Sequence, residues 1–372
     1  MARIAIDARK YFDYGIGSYI QNLASALSEM HTTHEFTMLA ASGDLAKIHA
    51  PAGWRLDKSD YGKYSFGEIA FLGRDALSAK AELFHEPHYT LPAGLKGRSV
   101  VTVHDLIHVK LPQYFSIVQR VYAASMLKHA VNHAGAVIAV SQKTKDDIIE
   151  TFKIDDARVT VVHNGVRPVF RKLGDKSAIG KFRQSRKLER PFILYVGNVK
   201  PHKNIPLLLN AFAEVLVKYR DLDLVFAGGS CLRDGLLATQ CAKLGITERI
   251  RDLNQLAEPD LVVAYNCAEM VVLPSLYEGF GFPALEAMAC ETSVIVSSGG
   301  ALPEVVGNAA PIVDPASPEH LASAIGELLE DSTKKADWIE KGKERSEEFS
   351  WQKTGKQTLS VYESVLERCR QN

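Results

Sequence analysis

The segment Pro274-Ser275-Leu276-Tyr277-Glu278-Gly279-Phe280-Gly281-Phe282-Pro283-Ala284-Leu285-Glu286 follows the apolar run Met270 to Leu273. An apolar run that passes through glycines into a proline reads as strand, tight loop and helix, because proline in a first helical turn surrenders no needed N–H. Gly279, Phe280, Gly281 and Phe282 then present backbone N–H groups at a helix start, where partial positive charge favours phosphate oxygens. Glu286, one turn into the helix, is placed to accept two hydrogen bonds from a vicinal diol. Glu278 stands ahead of the loop, facing a reaction centre. Ligands of open α/β sheets sit outside the carboxyl ends of the strands, so the segment points to a doubly wound parallel sheet with a phosphorylated ligand.

The same alternation extends in both directions. Phe192 to Val196, Leu224 to Ala227, Met270 to Leu273 and Val294 to Val296 form one set of short apolar runs separated by helical spacing. Ile4 to Ile6, Phe36 to Leu39, Val100 to Val103, Ala136 to Val140 and Val159 to Val162 form another. At 372 residues the chain is about twice the usual domain length, so each set is expected to build its own Rossmann-like domain. The Lys-, Arg- and Gly-rich stretch from Asn164 to Arg190 is the expected linker, which puts the domains at 1–170 and 171–351. Leu359, Val361, Tyr362, Val365 and Leu366 mark a terminal helix after the last strand.

Other strand ends carry chemistry. Val196-Gly197-Asn198-Val199-Lys200-Pro201-His202-Lys203-Asn204 sets an ammonium beside Asn204, an expected N-cap for a helix from Ile205 to about Tyr219. That pairing of Lys203 with a helix start suits a diphosphate. Gly15 and Gly17 open a helix expected from about Tyr19 to Met30, and read either as a tight turn or as a close approach to an anion. His104 and Asp105 close an apolar strand, which favours a cleft position over a satisfied core histidine. The histidines form no His-Glu-x-x-His array, and Asp221-Leu222-Asp223 precedes its strand, so no metal site is expected.

Composition narrows the class. Lys+Arg and Asp+Glu are both 44, which leaves no field to gather a polyanion, so nucleic acid is not the expected partner. No uncharged stretch of about 18 residues spans a bilayer, and the N-terminal apolar run is too soon interrupted by Asp7 to act as a signal core. Five cysteines without paired close spacing suit a reducing cytoplasm.

Gly15-Ile16-Gly17, His104-Asp105, Lys203-Asn204, Glu278 through Glu286 and Leu302-Pro303-Glu304-Val305 occur in an order in which the chain resembles the retaining, nucleotide-sugar-dependent glycosyltransferases of family 4, bacterial mannosyltransferases among them. The resemblance implies the GT-B architecture: two Rossmann-like domains facing a central cleft, with a C-terminal helix (352–372) returning to the first. It implies a donor held by the second domain, with Lys203 neutralising the diphosphate, Glu286 binding the ribose and Glu278 against the sugar. Gly15, Gly17, Asn198 and the Gly279–Phe282 loop complete that donor set. His104 would hydrogen-bond the transferred sugar. Tyr11, His85, His88 and Tyr89 look like acceptor-side loop residues. Asn198 and His202 stand where the family often has arginine, and Cys290-Glu291-Thr292-Ser293 replaces its usual Gly-x-Pro.

The expected activity is therefore metal-independent hexose transfer with retention, from GDP-mannose or, second, a UDP-hexose, to a glycan or polyprenyl-linked glycan. No cofactor is required. A nucleotide-sugar epimerase of the same fold and a noncatalytic glycan-binding relative are the alternatives; intact Lys203, Glu278 and Glu286 disfavour the latter. Peripheral membrane contact at the inner membrane face is suggested by Tyr114 to Tyr122, which mixes aromatic, apolar and cationic residues, although such spacing more often marks a face packed on a sheet.

Overall fold

The computed structural model describes residues 1–61, 66–95 and 97–371, with side chains described outside 66–71. The chain forms two compact units, Met1–Gly165 with Phe349–Asn372, and Val166–Glu348. The chain thus changes unit at Gly165 rather than after residue 170. Helix Lys176–Ser185 occupies much of the expected linker; Asp175 caps it, Phe182 is buried, and the Arg183 and Arg186 guanidinium groups lie over Phe192 and Phe182. Its apolar stripe is one phenylalanine wide, too thin to register as a periodic pattern.

The N-terminal unit is built on β1 (Arg3–Asp7), β2 (Glu35–Ala40), β3 (Arg55–Lys58), β4 (Leu83–Glu86), β5 (Ser99–Val103), β6 (Ala136–Ala139) and β7 (Val159–Val161), in the order β3-β2-β1-β4-β5-β6-β7. All its pairings are parallel. The C-terminal unit has β8 (Phe192–Gly197), β9 (Asp223–Gly228), β10 (Ile250–Asn254), β11 (Met270–Leu273), β12 (Val294–Ser297) and β13 (Ile312–Val313), also parallel, in the order β10-β9-β8-β11-β12-β13. Strand order therefore reverses between β1 and β4 in one unit and between β8 and β11 in the other. These are the switch points at which such sheets open a crevice.

β4 corrects one expectation. His85 lies within this strand, paired in register with Ile6 and Val100, and is fully buried rather than on an acceptor-side loop. Its Nε2 is 2.8 Å from Thr102 Oγ1 and its Nδ1 2.6 Å from Tyr362 OH. Tyr19 OH reaches the same threonine at 3.0 Å. Burial drives the imidazole pKa down to about 3, so the ring stays neutral and serves as a two-sided connector.

Through that connector the helix Trp351–Gln371 is held on the N-terminal unit, as the resemblance implies. Gly355 sits against Ala26 and Met30, Thr354 Oγ1 donates to the His163 carbonyl at 2.7 Å, and Arg368 to the Gly135 carbonyl at 3.1 Å. Helix Ile117–His133 starts in a Ser116–Gln119 capping box and buries Ala123, Leu127, Ala130 and Val131. Its first turns do not join that face. Ile117, Val118 and Val121 are 74%, 77% and 61% exposed. Among the described residues no helix is long and apolar enough to cross a membrane.

Replacing Tyr362 by Phe leaves the buried His85 Nδ1 without a partner. The expected loss is about 1–3 kcal/mol of stability with the fold intact, measured by denaturant unfolding. An unchanged midpoint and slope would show that this bond does not anchor the terminal helix.

Candidate active site

The C-terminal unit brings its candidates together around one ion pair. β8 ends at Gly197, and the chain passes through a turn at Pro201–Lys203 into helix Ile205–Lys218. Lys203 Nζ donates to Glu278 Oε1 at 2.6 Å, and Ser275 Oγ donates to the same oxygen at 2.7 Å. Both side chains are only 18% exposed. Burial alone would raise the carboxyl pKa of Glu278. The ammonium and the two hydrogen bonds outweigh it, and the group titrates below its usual value.

Asn204 departs from its expected role. It sits at a left-handed φ of 56°, its side chain makes no capping bond, and its amide instead donates to the Pro274 carbonyl at 3.1 Å and the Pro315 carbonyl at 2.8 Å. Asparagine tolerates that backbone region better than most residues, and here its side chain ties the Lys203 turn to the exit of β11. Leu276 N donates to the His202 carbonyl at 2.8 Å, completing the connection. Asn198, exposed at the head of the loop, uses its Oδ1 to accept from Lys200 N at 3.2 Å.

The loop rests on glycines leaving β12. A Cβ at Gly300 (φ 67°) would lie 2.2 Å from the Glu278 carbonyl oxygen, and Ala301 N donates to that oxygen at 2.8 Å. Gly279 and Phe280 lead through Gly281, at φ 117°, into helix Phe282–Ala289, whose first turn contains Pro283 as expected. The Phe280 ring is buried and lies 5.5 Å from that of Phe282.

Glu286, on this helix, accepts from Tyr265 OH at 2.7 Å. Burial raises its pKa to about 7, with Tyr265 and Arg167 offsetting part of that cost. The two glutamates eight positions apart are thus pushed in opposite directions by their surroundings. Asp221 and Asp223 lie at the amino end of β9 as expected, among Arg190, Arg249 and Arg251.

The N-terminal unit gathers a second group at the exits of β1, β4 and β5. Helix Ile16–Ser28 begins three residues earlier than expected, after Gly15 at φ 61°. Gly17 is required because a Cβ there would meet the Tyr11 carbonyl oxygen at 2.4 Å. His104 Nε2 lies 3.0 Å from the Pro87 carbonyl and donates to it, which leaves Nδ1 as an acceptor. Burial lowers its pKa to about 4, so the ring is neutral. The Tyr19 ring packs edge-on at 5.0 Å. His88 and Tyr89 are buried with their rings 3.8 Å apart, and Lys10, itself buried, reaches Thr90 Oγ1 at 3.4 Å.

Residues 14–170 match the model of Glycosyltransferase Family 4, and residues 179–345 that of Glycosyl transferases group 1. The chain belongs to the family-4 glycosyltransferases. This glycosyltransferase is an enzyme of the hexosyltransferase class with the GT-B fold. It is 27% identical over 379 residues to O-antigen chain mannosyltransferase B of Escherichia coli, covering 96% of this chain and 98% of that one. It is 32% identical over 257 residues to the MMP alpha-(1->4)-mannosyltransferase of Mycolicibacterium hassiacum, covering 68% of this chain and 60% of that protein. The structure of Anabaena HepE with UDP and glucose superposes with a TM-score of 0.79 at 20% identity, over 98% of this chain and 100% of that one, which shows a common fold.

Sequence reasoning missed Ser275, Tyr265 and Lys10. Ser275, three residues before Glu278, was signalled by its place at the strand exit. Tyr265 and Lys10 carry no local motif.

Two outcomes follow. Lys203→Met leaves Glu278 buried beside no cation, and is expected to cost about 3 kcal/mol at pH 8. The cost shrinks toward pH 4 as the carboxyl takes up a proton; an equal cost at both pH values in denaturant unfolding would contradict the pairing. Glu286 runs the other way. Its raised pKa makes the fold bind a proton that the unfolded chain releases, so stability falls as pH rises from about 4.5 to about 7. Glu286→Gln should therefore be more stable than the parent by about 2–3 kcal/mol at pH 8 and equal to it at pH 4. A penalty at pH 8 would refute this.

Proposed function

We propose that the enzyme moves a hexose, mannose in the favoured case, from a nucleoside diphosphate sugar to a glycan or polyprenyl-linked glycan, with retention at the anomeric carbon and without a metal. The observation that carries the reading is the Lys203–Glu278 pair at the β8/β11 switch point, beside the start of helix Phe282–Ala289. The full-length similarity to an O-antigen mannosyltransferase supports mannose and a glycan acceptor, with GDP-mannose as donor. A UDP-hexose ranks second, since the structural neighbour HepE was solved with UDP and glucose.

The chemistry demands stabilisation of positive charge growing at the anomeric carbon and of negative charge on the departing diphosphate. Lys203 supplies a compact cation for the second. Glu278, paired with that lysine in the free enzyme, lies against the donor sugar and meets the first. Glu286 accepts from the ribose hydroxyls in its ionised form, and the acceptor atom His104 Nδ1 takes a hydrogen bond from a sugar hydroxyl. The departing phosphate oxygen takes the acceptor proton on the same face, so no strong protein base is needed.

A thermal-shift panel of nucleotides and nucleotide sugars tests the donor. GDP-mannose should raise the melting temperature most, and Lys203→Ala should lose that rise while keeping its fold. Activity should persist in EDTA, and the product's anomeric proton should show the donor's configuration by NMR. Restoration by magnesium after chelation, or inversion, would overturn the corresponding part. Conversion of the donor sugar without an acceptor would mark an epimerase instead.

For a polyprenyl-linked acceptor, the exposed Ile117, Val118 and Val121, with Tyr114 38% exposed beside them, form the membrane contact. The protein should float with anionic vesicles, and the triple substitution of those aliphatics by serine should abolish flotation. Failure of the parent to float at low salt would end this part of the reading.

A further inference from the structure

The loop between β1 and helix Ile16–Ser28 exposes two aromatic rings that the donor chemistry does not use. Phe12 is 53% and Tyr14 73% exposed. The backbone beneath them is pinned. Tyr11 N donates to the Ala8 carbonyl at 2.9 Å, Asp13 N to that of Lys10 at 2.9 Å, and Gly17 N to that of Asp13 at 2.8 Å. Gln21 Nε2 donates to the Tyr11 carbonyl at 2.8 Å. Below the loop, Asp7 and Arg9 form a buried ion pair at 2.5 Å. The Phe12 ring is held edge-on to Tyr11, with centroids 5.1 Å apart at 72°.

Aromatic rings held in water on an ordered backbone keep apolar surface exposed at a cost in solvation, and pay little ordering entropy when something flat and partly apolar lands on them. A pyranose ring has such a face, made of C–H groups and rimmed by hydroxyls, and the Tyr14 hydroxyl adds a polar group at the edge. The loop lies at the carboxyl edge of β1. One turn along its helix, Tyr19 touches His104, and Lys10 at its base reaches Thr90 in the loop after β4. Phe12 lies against Tyr11, one of the residues that the resemblance puts on the acceptor side, and both rings stand on the loop that connects Lys10 with the helix of Tyr19.

We propose that Phe12 and Tyr14 form a stacking platform for a pyranose ring of the acceptor, so that the enzyme extends an existing saccharide and reads its terminal sugars rather than only its lipid or reducing end. The proposal rests on the glycan-acceptor reading given above. It adds the residues that select for a sugar ring.

The test uses the full-length protein with mannotriose as the probe, without nucleotide, in saturation-transfer difference NMR. The parent should pass saturation to the C–H protons of a sugar ring. The double variant Phe12→Ser with Tyr14→Ser should bind about tenfold more weakly or lose the signal, and Phe12→Trp should keep it. Both variants should retain the parent's melting-temperature rise with GDP, which shows that they fold. Absence of saturation transfer to the parent, or an unchanged signal in the double variant, overturns the platform. So does a double variant that keeps the mannotriose signal but no longer floats with mixed phosphatidylcholine and phosphatidylglycerol vesicles, because the rings then contact lipid. Failure of any nucleotide to stabilise the parent would instead count against the donor reading, leaving the mannotriose result to decide this one.

Discussion

The C-terminal unit is organised around one electrostatic constraint: burial opposes the charge of Glu278, and the Lys203 ammonium is the largest influence that holds its carboxyl below the usual range. The two residues are 75 positions apart, one leaving β8 and the other leaving β11, and their contact joins the two strands where the sheet order reverses. Ser275, the Asn204 amide and the Leu276–His202 bond all serve the same junction. Gly300 exists in its strained-for-others conformation because the loop carrying Glu278 lies directly against it. The Lys203 turn and the loop that carries Glu278 are thus held together by a contact between opposite charges.

The N-terminal unit solves a different problem with neutral groups. Its central strand β4 carries a histidine into the core, and Tyr19, Thr102, His85 and Tyr362 connect β5, β4 and two helices through hydrogen bonds. The C-terminal helix is thereby attached at its middle as well as along its apolar stripe. His104 is also neutral, held to the Pro87 carbonyl, and so presents a hydrogen-bond acceptor rather than a charge. The two units offer complementary surroundings: charge matched to charge in one, fixed neutral dipoles in the other.

The fold was legible where strands are apolar throughout. β8, β9, β11 and β12 were read directly because parallel strands covered on both faces become unbroken hydrophobic runs. β3 (Arg-Leu-Asp-Lys) and β10 (Ile-Arg-Asp-Leu-Asn) lie at sheet edges and carry charged residues, so their pattern resembles loop. β4 was hidden for another reason, since half of its four residues are polar, and His85 is buried there against Thr102 and Tyr362, partners distant in sequence. The site was legible in the same measure. Lys203, Glu278 and Pro283 follow from strand exits and helix starts, whereas the diversion of Asn204 to two carbonyls, and the pairing of Glu286 with Tyr265, depend on tertiary neighbours that no local spacing encodes.

The central claim is that Lys203 serves two anions in turn, Glu278 in the free enzyme and a diphosphate in the complex. Titration calorimetry of GDP against Glu278→Gln and Lys203→Gln, at one pH and ionic strength, examines it most directly. Removing the carboxylate releases the ammonium, so Glu278→Gln should bind GDP at least as tightly as the parent, and Lys203→Gln should bind it at least about tenfold more weakly. Equal affinities in the parent and Lys203→Gln would contradict the account, because the lysine would then belong to the fold alone.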